Sequence, residues 1–244
     1  MMVDFPKITP LGDRAILINF EKIIDEKMLE KVLFYKNLIE NSQFKQKVEV
    51  VNTYNSLLIS YVFAIEDVYS EVLRIKQLVR QANIPKNMNY KIFTLPVCYN
   101  EEFGLDLKLI SEDKNLKIDE IIKLHTKPFY RIYFTGFLPG FLYLGGLDER
   151  LKISRKESPR RSVDKGSVGI GENQTGIYPK NSPGGWQILG KCPVDLFRKN
   201  ERPPSPFSAG DKIKFEAVSI TEYQEIIELI EAGEYKLKVD NYES

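Results

Sequence analysis

Histidine is almost missing from this chain. Its 244 residues hold one histidine, one tryptophan and two cysteines. A single histidine excludes a multi-histidine metal site. Cys98 and Cys192 each sit in a strand-like run, and neither their number nor their spacing suggests a disulfide framework or a zinc site. They read as reduced, small apolar residues. Net charge is also scarce, since 35 basic and 34 acidic residues leave +1. Nucleic-acid recognition needs a basic excess or a basic face. No run reaches the roughly 18 continuous apolar residues of a membrane span. The N-terminal MMVDFPKITP lacks a basic leader ahead of an apolar stretch. The resulting expectation is a cytoplasmic protein with no metal, no nucleic acid and no membrane among its partners.

Familiar catalytic signatures are missing as well. No GxSxG elbow occurs. Gly185-Trp-Gln-Ile-Leu-Gly190-Lys191 has the spacing of a phosphate-binding loop. However, Cys192 stands where the magnesium-binding hydroxyl belongs, and the WQIL interior is apolar and strand-like. Gly169-Ile-Gly171 begins like a dinucleotide fingerprint, but it lacks the third glycine and a surrounding βαβ unit.

The chain has 43% hydrophobic and 28% charged residues, enough for a core under a soluble surface. Its length suits one large domain or two small ones. In the first part, Arg14–Phe20 reads as a strand and Ile24–Ile39 as an amphipathic helix. Lys47–Thr53 and Ser56–Phe63 read as a hairpin about Asn55, and Glu66–Ala82 as the clearest helix. Strand–helix–strand–strand–helix is most of a ferredoxin-like split βαβ unit, with one further strand needed to complete it. Asn83–Asn89, with a proline and three asparagines, reads as a linker.

A strand at Lys91–Tyr99 opens the second part, followed by short helices at Leu105–Leu109 and Ile118–His125. Short strands then alternate with Gly/Pro corners: Tyr130–Phe134, Gly166–Ile170, Thr175–Tyr178, Trp186–Leu189, Val194–Phe197 and Lys212–Val218. That rhythm implies an all-β barrel or sandwich. Ser219-Ile-Thr-Glu222 has the form of a capping box, opening a helix that Gly233 closes. Tyr235–Val239 reads as a final strand. The expected fold class is therefore α+β, with a small α/β sandwich over residues 1–88 and a β-barrel over 89–244.

The richest stretch is 136–186, where glycine, proline and aromatic residues crowd together. Glycine is favoured where backbone bends sharply or another group comes close. Such a stretch marks either barrel corners or a groove where a ligand or partner meets backbone. His125 reads as a helix-terminal cation or as a proton donor to a substrate carbonyl. Arg160 and Arg161 read as a clamp for a carboxylate or as a solvated loop. Gln174, Thr175 and Tyr178 bring amide, hydroxyl and phenol groups close to Ser182-Pro-Gly-Gly-Trp186. Trp186 reads as a core plug or as the wall of a pocket. Phe137, Phe141 and Tyr143 either pack the barrel or form a docking patch.

GFLPGFLYLGGLDERL at 136–151, GSVGIGENQTGIYP at 166–179 and SPGGWQILGKCPVDLF at 182–197 resemble one known family. It comprises the B-type subunits of 5-oxoprolinase, the sporulation kinase inhibitor KipI and the allophanate hydrolase subunit 1 proteins. PLGDRAILINF at 10–20, YNEEFGLDL at 99–107 and the pair His125-Thr126 fit it too, so the resemblance spans nearly the whole chain. It implies a small α/β domain joined to a cyclophilin-like barrel, and work alongside a homologous C-type barrel subunit. A large A-type subunit would bind ATP, with no cofactor held by this chain. The implied reaction opens 5-oxo-L-proline to L-glutamate with ATP hydrolysis. Inhibition of a histidine kinase, or a role in allophanate hydrolase or urea carboxylase chemistry, is the alternative.

By that resemblance His125, Gln174 and Tyr178 contact the reacting group. Arg160, Thr175 and Ser182 hold the substrate, and Gly184, Gly185 and Trp186 shape the groove. The sequence departs from the family's pattern at Asp164-Lys165, where a proline-alanine pair is common, and at Lys127, where a small hydroxyl residue is common. It departs again at Gly171-Glu172-Asn173, which adds bulk and charge beside the expected groove.

Overall fold

A computed structural model describes residues 6–44, 46–81 and 89–243. The chain divides into two compact units, Met1–Met88 and Asn89–Ser244.

The first unit runs β1 (Lys7–Pro10), β2 (Ala15–Asn19), α1 (Glu26–Glu40), β3 (Val48–Asn52), β4 (Ser56–Tyr61) and α2 (Val68–Gln81). Its antiparallel sheet has the order β1-β2-β4-β3. Strict alternation on β2 and β4 buries Ile16, Ile18, Leu57 and Ile59 completely, as a sheet with one covered face requires. Met28, Val32, Tyr35 and Ile39 of α1 join the same core, with Ile75 and Val79 of α2. Asp25 starts α1 by accepting a 2.7 Å hydrogen bond from the Met28 amide.

This is the ferredoxin-like strand order, completed from an unexpected place. The closing strand is β1, ahead of everything else. Only Ile8 among its four residues is buried, and it ends on Pro10. Proline is tolerated on such an edge strand but hides it from pattern reading. The expected linker lies, through residue 88, outside the described residues.

The second unit contains β5 (Asn89–Cys98), α3 (Leu107–Lys114), α4 (Ile118–Thr126), β6 (Phe129–Thr135) and β7 (Leu142–Gly145). There follow β8 (Arg160–Val163), β9 (Ser167–Gly171), β10 (Gln174–Ile177), β11 (Ser182–Gly184), β12 (Gln187–Lys191), β13 (Lys212–Val218), α5 (Ile220–Glu231) and β14 (Lys238–Glu243). Seven strands form a ring in the order β12-β9-β10-β7-β6-β13-β5, closed by pairing of Lys191 with Cys98. β14 pairs with the first half of β5, beyond the closure point. Leu95, Ile132, Leu144, Ile170, Ile177 and Phe215 fill the interior. β8 and β11 form a separate two-stranded ribbon. The capping box is present: the Ser219 amide donates to Glu222 at 2.7 Å, and the Glu222 amide donates to Ser219 Oγ at 3.2 Å.

Val194–Phe197 is not a strand. Cys192, Val194 and Leu196 do alternate into the barrel core. No ladder accompanies them among the described residues, and Pro193 has no N–H to offer one.

Candidate functional site

Strand alternation divides the candidate residues between two sides of the barrel wall. On β10, Thr175 and Ile177 are fully buried, and Ile177 belongs to the interior core. Gln174, Gly176 and Tyr178 therefore face outward. His125 lies inside with Thr175.

His125 is fully buried, with its ring stacked on Phe215 at 4.8 Å between centroids. Its Nδ1 is 2.6 Å from the Tyr99 hydroxyl, and its Nε2 is 2.8 Å from Thr175 Oγ1. The Thr175 hydroxyl donates to the Gly169 carbonyl at 3.0 Å. That hydroxyl has one proton, so Thr175 accepts from His125 Nε2–H, and Nδ1 in turn accepts from Tyr99. The network assigns a neutral imidazole with its proton on Nε2. Burial agrees, pushing its pKa down to about 3. Both sequence expectations for His125 are thus corrected: it is neither a helix-terminal cation nor a donor facing the groove. With Thr175 it latches α4 to the barrel wall.

The outward face of β9 and β10 is bare. Gly169 and Gly176 stand opposite each other across the hairpin, with Gly171 two residues along β9. Trp186 lies across all three. A Cβ on Gly171 would meet the indole at 2.8 Å and one on Gly176 at 3.0 Å, while one on Gly169 would lie 3.3 Å from the Trp186 Cβ. Gly171 and Gly176 are a floor for one indole, and Gly169 makes room for its stem. Tyr178 lies against Gly184 in the same way, where a Cβ would come within van der Waals overlap of the phenol ring at 2.7 Å.

Phe141 packs edge-on against both rings, at 5.5 Å from Trp186 and 5.7 Å from Tyr178. The three rings, Phe137, Arg155 and the Pro183-Gly184-Gly185 turn line an open groove of about 260 Å³. That is near the small end of ligand pockets, roughly 300–1,000 Å³. Phe137 forms its rim at φ +66°, a left-handed backbone that costs a bulky aromatic energy and persists where surroundings impose it. Burial raises the pKa of Tyr178, with Arg155 and Arg160 pulling the other way. The phenol stays protonated near neutral pH and can donate a hydrogen bond.

Arg160 does not face the groove as a free clamp. Its Nη2 donates to both oxygens of Asp106, at 2.7 and 2.9 Å. Lys156 Nζ reaches the same carboxylate at 3.3 Å, and the Ile188 amide donates to it at 2.6 Å. Buried charges persist when paired and hydrogen-bonded in this way. The sequence reading missed Asp106, which is 54 residues from Arg160. It also missed Arg155, one of several cations in SRKESPRR with nothing local to separate them.

Ser182 is buried on β11, and its hydroxyl has no partner among the described residues. Gln174 is half-buried at the hairpin end, on the groove side of the wall but not lining the groove. Glu172 and Asn173 are exposed turn residues, with Glu172 at φ +55°. They add bulk to the hairpin tip rather than to the groove. Of the candidate residues, the structure thus brings Tyr178, Gly184, Gly185 and Trp186 together. It places His125 and Thr175 inside the wall, sets Ser182 outside the groove lining, and ties Arg160 to Asp106 behind the groove, with Nη1 3.4 Å from the Trp186 carbonyl. Among the described residues, no cluster of three or more His, Cys, Asp or Glu side chains could hold a metal, and no helix is long and apolar enough to cross a membrane.

A family model described as carboxyltransferase domain, subdomain C and D, matches residues 6–207. The chain is 38% identical to the 5-oxoprolinase B-type subunit of Bacillus subtilis over 89% of its own length and 95% of that protein. It is 35% identical to the corresponding 5-oxoprolinase B-type subunit of Haemophilus influenzae, over 85% and 96%. The solved structure of Kluyveromyces lactis urea carboxylase superposes on 97% of this chain with a TM-score of 0.80 at 20% identity. The chain spans about a quarter of that larger protein, and the likeness shows the carboxyltransferase-like fold.

Proposed function

Since the chain belongs to the family of 5-oxoprolinase B-type subunits, we propose that it is one subunit of an ATP-dependent 5-oxoprolinase. The enzyme would open the lactam of 5-oxo-L-proline to L-glutamate as ATP is hydrolysed. ATP would be held by a large A-type subunit, and a homologous C-type barrel subunit would complete the assembly in the cytoplasm. The observation that carries this reading is the groove beside Trp186, open to solvent and walled by Tyr178, Phe141 and Arg155.

A lactam is a resonance-stabilised amide. Opening it requires a donor at the carbonyl oxygen and delivery of a nucleophile to the carbon. Tyr178 suits the first task, because its buried phenol remains protonated. Trp186 and Phe141, 5% and 2% exposed, give the groove an apolar floor that suits a flat ring. The described lining offers a phenol, a guanidinium and aromatic surface, a set that binds and polarises. The base, or the phosphate that activates the oxygen, would come from a partner subunit. The chain alone is therefore expected to be inactive.

The test is reconstitution with both partner subunits and measurement of glutamate released from 5-oxoproline and ATP. Activity should vanish when this chain is omitted. Undiminished turnover without it would refute the reading and return attention to kinase inhibition.

A further inference from the structure

Arg155 is the cation of the groove, and we propose that it anchors the substrate's carboxylate, holding a small, flat monoanion against the face of Trp186. The identity of that acid as 5-oxoproline rests on the function proposed above; its class does not.

Three cations crowd the segment 155–160, and two are already committed. Arg160 and Lys156 both reach the buried Asp106 carboxylate, at 2.7 and 3.3 Å. The backbone is tied down too, with the Lys156 amide donating to the Gly185 carbonyl at 2.7 Å. Arg155 is held between these anchors yet is itself exposed, with no ion pair among the described residues. Its guanidinium carbon lies 5.7 Å from the centroid of the Trp186 ring. That is cation–π range, and it sets the planar fork beside the indole. The charge is felt inside the groove, where Arg155 draws down the pKa of Tyr178 against the effect of burial.

Arg155 is the only charged residue lining this groove among those described; the rest of the lining is aromatic, proline or glycine. One positive fork above an aromatic wall fits one carboxylate on a flat body. The site also has a direction. Ring opening creates a second carboxylate and an ammonium, for which the described lining provides no further charged group. A buried charge without a partner is costly. The groove therefore favours the closed acid over its open product, and Arg155 selects the acid over the same ring without a carboxylate.

Trp186 is the only tryptophan, so emission excited at wavelengths where the 13 tyrosines do not absorb reports this groove alone. Three probes are titrated into the full chain: 5-oxoproline, 2-pyrrolidone (the same ring without the carboxylate) and L-glutamate. Saturable quenching by 5-oxoproline, with the other two at least about 10-fold weaker, is expected. Arg155→Gln should weaken 5-oxoproline binding by about 10- to 100-fold and leave 2-pyrrolidone unchanged, with Arg155→Lys between. In the assembled enzyme Arg155→Gln should raise KM by the same factor with kcat nearly constant, since the carboxylate contact is made equally before and during reaction. Arg155 is exposed, so a matching thermal melt excludes misfolding.

Equal binding of 5-oxoproline by Arg155→Gln and the parent overturns the anchor, whatever the enzyme's activity. So does a tryptophan signal that answers to none of the probes or to other small ring carboxylates. Arg155-dependent binding of a different flat carboxylate, with none of 5-oxoproline, supports the anchor and defeats the functional reading instead.

Discussion

A single methyl group on Gly171 tests the packing that shapes the groove. Its Cβ would lie 2.8 Å from Cδ1 and 2.9 Å from Nε1 of Trp186, closer than side chains pack. The indole has little room to retreat, because it is 5% exposed and Phe141 packs edge-on against it at 5.5 Å between centroids. Gly171 has no left-handed φ. On backbone grounds alone, alanine would stabilise by about 0.4–1 kcal/mol through the unfolded chain. Overpacking costs about 1–3 kcal/mol. Overpacking wins, and the net loss is about 1 kcal/mol. For a unit of this size that lowers Tm by about 2–4 °C. Emission from the sole tryptophan follows the barrel unit's melt and reports displacement of the ring. Gly185→Ala is the control, since its nearest neighbour would be 3.6 Å away; it should melt like the parent or slightly higher. In a Trp186→Phe background, melted by circular dichroism, the cost of Gly171→Ala should shrink by at least about 0.5 kcal/mol. Gly171→Ala as stable as the parent, with unshifted emission, would refute the idea that Gly171 exists to seat the indole.

Other outcomes follow from the same geometry. An ordinary imidazole takes up a proton near 6.5, whereas burial holds His125 down at about 3. Between those values the unfolded chain binds the extra proton, so stability falls as pH falls through that window. By about pH 5 the loss is about 2 kcal/mol. Urea midpoints at neutral pH and pH 5 should show that His125→Gln flattens this slope. KM for 5-oxoproline in the assembled enzyme should hardly change, because the ring lies inside the wall. Asp106→Asn removes the charge that holds Arg160 and Lys156, whose side chains are 22% and 26% exposed and can partly turn to water. It should cost about 2–3 kcal/mol and loosen the Arg155 segment, seen as a lower urea midpoint together with a raised KM. Tyr178→Phe keeps the ring and removes the donor. It should lower kcat of the assembled enzyme by about 100-fold at nearly constant Tm. Ser219→Ala removes the cap of α5 and should cost about 1 kcal/mol in equilibrium unfolding.

Much of the fold was legible because its signals are local. The period of Val68 to Val79 shows a helix, and Ser219 with Glu222 shows where another begins. The alternation of β2 and β4 shows a sheet with one covered face. β1 escaped because four residues ending in proline carry no period. Val194–Phe197 misled because alternation reports burial, and only a partner with free N–H and C=O groups makes a ladder.

The site was legible as a region but not in its details. The spacing of Gly169, Gly171 and Gly176 was visible, yet the object resting on them is an indole ten or more residues away. Thr175 on β10 and Tyr178 just past its end are three apart in extended chain, so they cannot share a face. That parity separates Thr175 from the outer wall, while His125, on α4, is placed inside only by its contact with Thr175. The choice between Arg155 and Arg160 was out of reach, because it depends on a buried carboxylate at position 106 that the chain brings across only on folding.

The central claim is that a small lactam acid meets the outer face of this barrel, beside Trp186. The one indole N–H gives one resonance in a nitrogen–proton correlation spectrum. Adding 5-oxoproline should move that peak progressively to saturation, together with backbone amides of Gly184 and Gly185, while residues around His125 stay still. An indole peak that holds its position at saturating 5-oxoproline, in a preparation that turns over once its partner subunits are added, would contradict the account.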